Sequence, residues 1–371
     1  MDLKKSTNHV KVVRQLIHSD IPLLVPLFNS CGELLANKGV ILDSKQVIKV
    51  LQHGDIYTNK DDYVAAMGSG FAEVHSNNKN SSVPHIFERM EQLESQLYSA
   101  FRVESGAFVQ RIERVRSQLL QVVSISSTAV IAYIVMNQQR DVISHDLCCA
   151  ALCCLLGEQL EWKKSERDSL VSAALTMDIS LVSEHEDSEQ LVIDDRYNRH
   201  PLMSRGVLSG LGVTDDKWLD YVCGHHGDDV QERDTQEKLP WGCHILSLAD
   251  IFCSQLVGLY ENQVMNAHDI LGSLDKTLVN PKARLTMDAL LTITGWYPFG
   301  SVVLLENDEV GVVTAHGDTS TTPIVKVIFA QDGSEWRTPV SRKTSVSTYA
   351  IKSVIPIENF RDVIINKQIW H

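Results

Sequence analysis

The feature that most constrains the fold is a long stretch, residues 85–296, in which apolar side chains recur at three- and four-residue steps. This spacing is seen in Ile86, Met90, Leu93 and Leu97. Residues at such steps lie on one face of an α-helix, where they can be buried together. A stretch of this length therefore predicts an all-α domain of several packed helices, and a mainly α protein.

Short apolar runs separated by turn residues characterise residues 1–67, where Gly32 and Gly39 occupy turn-like positions. The pattern predicts short strands followed by a helix, that is, a small N-terminal α+β domain. Residues 68–84 are rich in Asn, Ser and Gly and have no apolar period. We expect them to form a linker.

After the helical stretch, residues 297–371 contain apolar runs that are separated by the turn pairs Asn307-Asp308 and Asp332-Gly333. Turn residues of this kind between apolar runs are typical of β-hairpins. We therefore expect a small C-terminal β-rich domain.

The chain of 371 residues has a formal net charge of −13. Such a balance offers no basic surface for nucleic acid or for an anionic membrane, so neither is an expected partner. An anionic substrate would need a local source of positive charge, such as a metal ion. The uncharged stretch 117–139 is long enough for a membrane span, but its Gln, Ser and Asn residues favour a buried core helix.

The eight cysteines lie largely within apolar helical patterns, and the charged start MDLKKSTNHVK does not resemble a secretory signal. Both observations predict a cytoplasmic protein. The doublets Cys148-Cys149 and Cys153-Cys154 have two interpretations, a metal site or small apolar residues of a buried helix. Their spacing within CCAALCCLL favours the buried helix.

Seven acidic and histidine side chains in the helical stretch are candidate metal ligands: Asp141, His145, Asp178, His200, His225, His226 and Asp250. Asp141 and His145 are four residues apart, so on a helix they project from one face and can reach one ion. The alternative is a surface pair.

Asp178 and Asp250 interrupt apolar helical runs, and burying an unpaired carboxylate is costly unless a cation lies beside it. A cap or an internal hydrogen bond is the alternative for Asp250. The adjacent His225 and His226 can each address one ion of a pair, although such a pair can also be incidental.

The order of these residues, acid-x3-His, Asp, His-Pro, His-His and Asp within an apolar helix, resembles the HD-GYP branch of the HD superfamily of metal-dependent phosphohydrolases. The flanking sequences PLFNSCGELLANKG and YPFGSVVLLENDEVGVV are similar to regions that accompany such domains. The resemblance implies a helical HD-type domain, cyclic di-GMP phosphodiesterase chemistry, and iron or manganese held by the seven residues.

Three positions depart from the family pattern. Met177 stands where the family has a histidine ligand, and Leu181 stands where it has a lysine thought to contact phosphate. The loop after His226 lacks the Gly-Tyr-Pro sequence. The resemblance therefore implies a degenerate member with an incomplete divalent-metal site, and no residue is assigned as catalytic.

Three functions follow as hypotheses. The first is a regulatory, binding or scaffold role in bacterial cyclic di-GMP-type signalling, with cyclic di-GMP or a signalling protein as the partner. The second is an active phosphohydrolase that cleaves cyclic di-GMP slowly or accepts another phosphate ester. In the third, the His and Asp residues only satisfy one another. A second copy of the chain could pair through residues 92–123, although core packing explains their pattern equally well.

Overall fold

The structure is a computed structural model that describes residues 9–11, 23, 25–42, 46, 49–50, 56–59, 83–102, 105–182, 195–226, 239–260, 263–357, 360, 364 and 369. The chain forms two compact units, Met1–Asn80 and Ser81–His371. Most of the predicted linker, 68–84, lies outside the described residues. The part that is described, Val83 and Pro84, belongs to a helix.

The first unit contains a four-stranded antiparallel sheet in the order β1-β4-β2-β3. Its strands are β1 (His9–Lys11), β2 (Leu27–Phe28), β3 (Leu34–Ala36) and β4 (Tyr57–Asn59). Asn29 shapes the β2–β3 turn, because its Oδ1 accepts hydrogen bonds from the backbone N–H groups of Cys31 and Glu33. The predicted helix, residues 44–54, precedes β4 and falls largely outside the described residues.

The second unit begins with helices, as the apolar period predicts. They are α1 (Val83–Phe101), α2 (Phe108–Ile125), α3 (Ser127–Met136), α4 (Val142–Gln159), α5 (Lys164–Ala174), α6 (Ile179–Val182), α7 (Asp195–Gly210), α8 (Asp216–Gly224), α9 (Trp241–Val257), α10 (Ala267–Thr277) and α11 (Pro281–Thr294). The apolar stripes of α1 and α2 are buried in the core of this unit.

Two helices at the centre of the unit are buried on every side. All of α3 from Ala129 to Met136 is buried, and so is α4 from Val142 to Gly157. The uncharged stretch 117–139 therefore includes a buried core helix, α3. The axis of α3 is bent by 110° from that of α2. Among the described residues, α4 alone is long and apolar enough to cross a membrane, but 89% of it is buried inside the protein.

The C-terminal strands form a five-stranded antiparallel sheet in the order β8-β7-β6-β5-β9. They are β5 (Val302–Leu305), β6 (Val310–Ala315), β7 (Ile324–Phe329), β8 (Glu335–Lys343) and β9 (Ile351–Ile355). Both predicted turns are present, with positive φ at Asp308 (63°) and Gly333 (78°). The apolar face of this sheet belongs to the same hydrophobic cluster as the helices. The fold class is mainly α with two small sheets, as predicted.

Candidate metal centre

The first pair of the site joins α4 to α9. His145 lies in the first turn of α4, and its Nε2 is 3.0 Å from Oδ1 of Asp250 on α9. Both side chains are buried, because these helices pack against each other in the core. The thiol of Cys149, one turn further along α4, lies 3.6 Å from the same Nε2.

Asp178 connects this pair to two further histidines. It lies in the turn between α5 and α6, where its Oδ2 is 3.7 Å from Nε2 of His145 and accepts a hydrogen bond of 2.7 Å from the Tyr260 hydroxyl. Its Oδ1 is 2.8 Å from Nε2 of His200 on α7 and 4.0 Å from Nε2 of His225. A single buried carboxylate therefore contacts three histidines.

His200 and His225 are held by backbone carbonyls. Nδ1 of His200 is 2.6 Å from the Tyr197 carbonyl oxygen, and Nδ1 of His225 is 2.7 Å from that of Val222. A carbonyl oxygen only accepts, so each Nδ1 is the donor. This arrangement leaves the Nε2 atoms of the two rings facing each other at 3.0 Å.

His226 completes the histidine group beside the C-terminal end of α8. Its Nε2 lies 4.0 Å from Oδ2 of Asp250, and its ring is edge-on to that of His200, with 4.7 Å between the centroids. It is partly exposed, whereas the other members of the site are almost wholly buried. His226 is therefore the member closest to solvent.

Asp146 is a site residue that the sequence pattern did not single out. It is fully buried on α4, and among the described residues neither of its carboxyl oxygens lies at hydrogen-bonding geometry to a donor. The sequence does carry a signal for it, since Asp146 is an acid within the apolar run of α4.

Asp141 precedes the first residue of the helix that carries His145. It is the N-cap residue of α4, with extended backbone, and its Oδ1 accepts a hydrogen bond of 2.9 Å from the Ser144 N–H. The helix begins one residue later than the i,i+4 interpretation required. In the described part of the chain, Asp141 belongs to neither group of closely spaced ligand atoms.

Those two groups are His200, His225 and His226, and His145, Asp146 and Asp178. Within each group the candidate ligand atoms all lie within 4.8 Å of one another. Asp250 reaches both groups through His145 and His226. No cysteine belongs to either group among the described residues, and Cys148, Cys149, Cys153 and Cys154 are buried in α4 as predicted.

The pKa values of the three aspartates are shifted because several ionisable groups are buried close together. Burial opposes ionisation of Asp178, but the histidines around it outweigh burial and hold its pKa below the usual range. The same balance, dominated after burial by His145, lowers the pKa of Asp250. Burial and the charge of Asp178 raise the pKa of Asp146 well above its usual value.

The pKa values of the histidines are also shifted in both directions. Burial lowers the pKa of His145 and His200, but hydrogen bonds and charge from Asp250 and Asp178 outweigh it, so that both pKa values are raised. Burial, together with the charges of His226 and His200, lowers the pKa of His225 to about 3. His225 is thus a neutral ring with a nitrogen lone pair near neutral pH.

Both positions at which the family resemblance implies another residue are buried. Met177 is fully buried within the hydrophobic cluster, and Leu181 on α6 is also buried. The loop whose sequence lacks Gly-Tyr-Pro, from residue 227 onward, lies outside the described residues.

No family model matches the sequence, and no curated protein matches it. One similar solved structure is that of Bd1817 from Bdellovibrio bacteriovorus, described as an HDG"Y"P protein. The similarity covers 77% of this chain and 100% of that chain, at 11% sequence identity and a TM-score of 0.46. A similarity of this size carries no information about the substrate.

Proposed function

We propose that the helical unit holds divalent metal ions at the His and Asp cluster and acts as a degenerate HD-GYP-like binding protein in cyclic di-GMP-type signalling, with hydrolysis absent or slow. The observation that carries the proposal is the convergence of His200 and His225 on Asp178. Their Nε2 atoms are 3.0 Å apart, and the nearer one is 2.8 Å from the carboxylate.

Three electron-rich atoms at such distances repel one another unless a cation lies among them. Because both Nδ1 atoms donate to carbonyls, the neutral rings present lone pairs at Nε2, which is the form that binds a metal. A proton on His200 would also relieve the repulsion, and this is the hypothesis in which the His and Asp residues only satisfy one another.

Asp146 adds a further carboxyl to the proposed metal site. In the described part of the chain its two carboxyl oxygens are buried without a hydrogen-bond partner, and they lie close to His145 and Asp178. An orphaned buried carboxyl is costly when it is ionised. A proton on Asp146, favoured by its raised pKa, relieves this cost, and so would a cation between Asp146 and Asp178. The nitrogen and oxygen donors fit iron or manganese better than a soft ion.

Two features favour binding over turnover. In the part of the chain that the structure describes, no lysine or arginine forms an ion pair with Asp178 or Asp250. Leu181 supplies no cation for a phosphate diester, whose charge must be stabilised in the transition state. The function that fits best is therefore recognition of a ligand or partner.

A slow phosphohydrolase is the second candidate. Asp178 and Asp250 each contact histidines that belong to both ligand groups, a layout suited to two ions. A bound metal pair would supply an activated water and stabilise phosphate oxygens. The residues of the chain would hold these ions and exclude water from the buried side.

The metal test compares two histidine variants of the full chain. We expect the purified wild-type protein, after loading with Mn²⁺ or Fe²⁺ and gel filtration, to retain metal by elemental analysis. His200→Gln should retain much less. His268→Gln, which removes a histidine bonded to the Trp296 carbonyl outside the cluster, should behave as wild type. If the wild-type protein retains no metal after loading and gel filtration, the proposal is wrong.

The signalling test uses the same loaded protein. Calorimetric titration with cyclic di-GMP should give saturable binding, and chromatography of the mixture should detect little or no linear product. Rapid turnover that disappears in His200→Gln would overturn the binding role and favour the second candidate. Absence of both binding and turnover would remove cyclic di-GMP as the ligand.

A further inference from the structure

A cavity lies in the same unit as the candidate metal centre, and it is lined by other residues. Its volume is about 480 Å³, and it is bordered by the C-terminal ends of α3 and α9, the start of α10, and strands β5 and β9. None of its lining residues is a candidate metal ligand. Cavities of roughly 300–1,000 Å³ are of the size that holds small organic molecules.

The wall of this cavity is mainly apolar. Side chains from α3, α9, β5, β9 and the loop after α9 supply it, including Val135, Leu256, Met265, Val302 and Ile355. An apolar wall of this kind favours an apolar ligand body, because burying it removes hydrocarbon from water. The wall does not suit a molecule that is polar throughout.

Polar side chains on the wall are available to the head group of a ligand. Arg140 is exposed and forms no ion pair with any described residue, and it is the charged residue of the lining. The Ser301 side chain is largely covered, and its hydroxyl makes no hydrogen bond in the described part of the chain. That hydroxyl can therefore donate to, or accept from, a ligand atom that enters the cavity.

The start of α10 also borders the cavity, but it does not supply the positive charge. Asn266 caps this helix by accepting from the Asp269 N–H, and the Asp269 carboxylate in the first turn offsets the helix dipole. Arg140 is therefore the cation that a ligand would meet. One guanidinium matches one carboxylate, which it can bind through two parallel hydrogen bonds.

We propose that this cavity binds a small amphipathic carboxylate, with the carboxylate at Arg140, an oxygen within reach of Ser301, and the hydrocarbon chain against the apolar wall. A cyclic dinucleotide, with two phosphates and polar bases, is a poor match for a single cation and this wall. The site is thus distinct in its chemistry from the metal cluster.

The test uses three eight-carbon probes whose head groups are anionic, neutral and cationic: octanoate, 1-octanol and octylammonium. Titration calorimetry with the full chain should give one octanoate per chain, bound at least about fivefold more tightly than octanol, which is the size expected of a partly exposed charge-assisted bond. Octylammonium should bind most weakly. Equal affinity for octanoate and octanol, or no saturable octanoate binding, would overturn the proposal.

Matched variants locate the site. Arg140→Gln should remove the preference for octanoate while leaving octanol binding unchanged, and Arg114→Gln, an exposed position on α2, should keep it. Val264→Trp, at a lining residue that is 44% exposed, should block all three probes. Val279→Trp, at a position 70% exposed and away from the lining, should not. Unchanged octanoate binding by Arg140→Gln or by Val264→Trp would sink the assignment.

Discussion

At the scale of single residues, Asp146 is the most informative side chain of the site. Its carboxyl is buried beside Asp178, and burial together with the charge of Asp178 raises its pKa. Without a cation the buried carboxyl lowers the stability of the fold when it is ionised. A cation bound beside it would use the same carboxyl as a ligand. The substitution Asp146→Asn should therefore have opposite effects in the two states of the protein.

We expect Asp146→Asn to leave the unfolding temperature of metal-free protein unchanged or raised, because the neutral amide removes a carboxyl that is costly to ionise. With Mn²⁺ added, the variant should gain less stability than wild type. Its affinity should fall by at least about tenfold, the size typical of residues that support a metal ligand. Thermal unfolding with and without metal measures both effects.

The control is Asp220→Asn, which changes an exposed aspartate on α8 paired with Arg205. It should show the full metal-induced shift. If Asp146→Asn shows the same shift as Asp220→Asn, Asp146 is not a ligand.

The sequence was a good guide to some site residues and a poor guide to others, for physical reasons. Asp178 and Asp250 could be found because a buried carboxylate in an apolar stretch must have a partner, although Asp178 lies in the turn between α5 and α6 and not within the predicted helix. The role of Asp141 depended on where α4 begins, and apolar spacing does not fix a helix boundary to one residue. The contact between His145 and Asp250 joins residues 105 positions apart, which only the packing of α4 on α9 determines.

At the scale of elements, α1 and α3 meet through a polar pair within an apolar interface. The Tyr133 hydroxyl donates to the Glu94 carboxylate at 3.3 Å. Burial and the charge of Asp141, together with that of Glu91, raise the pKa of Glu94 to about 7, although hydrogen bonds from Tyr133 and Ser144 act in the opposite direction. Glu94 therefore opposes folding when it is charged.

The sign of the pH dependence follows from that shift. The pKa of Glu94 is raised from 4.5 to about 7 in the folded chain. The contribution of the protonated carboxyl to the free energy of unfolding is therefore complete below pH 4.5 and is lost as the pH rises through about 7. Glu94→Gln should remove this loss, and its unfolding temperature should exceed that of wild type more at pH 8 than at pH 5. Glu113→Gln, at an exposed position of α2, serves as the control. An equal change at both pH values would contradict the assignment.

At the scale of the whole molecule, the C-terminal sheet is part of the core of the helical unit. Its buried residues belong to the same cluster as the helices; they include Val302, Val303, Leu305, Val312, Val313 and Val325. The backbone also approaches closely, since a Cβ on Gly300 would lie 3.1 Å from Ala132 of α3. The sequence pattern marked the change from helix to strand at residue 297, but periodicity does not report which elements share a core.

Two truncated chains test this shared core. Residues 81–371 keep the whole cluster, so we expect this fragment to unfold cooperatively on heating and to retain Mn²⁺. Residues 81–296 lose the sheet and expose the helix surface beneath it. Burying an aliphatic side chain stabilises a protein by about 1.5–3 kcal/mol. Exposing about five such side chains therefore costs as much as the total stability of a domain, about 5–15 kcal/mol. The shorter fragment should therefore show no cooperative transition by calorimetry and no metal retention. A shorter fragment that unfolds as sharply as the longer one would mean that residues 297–371 form a separate domain.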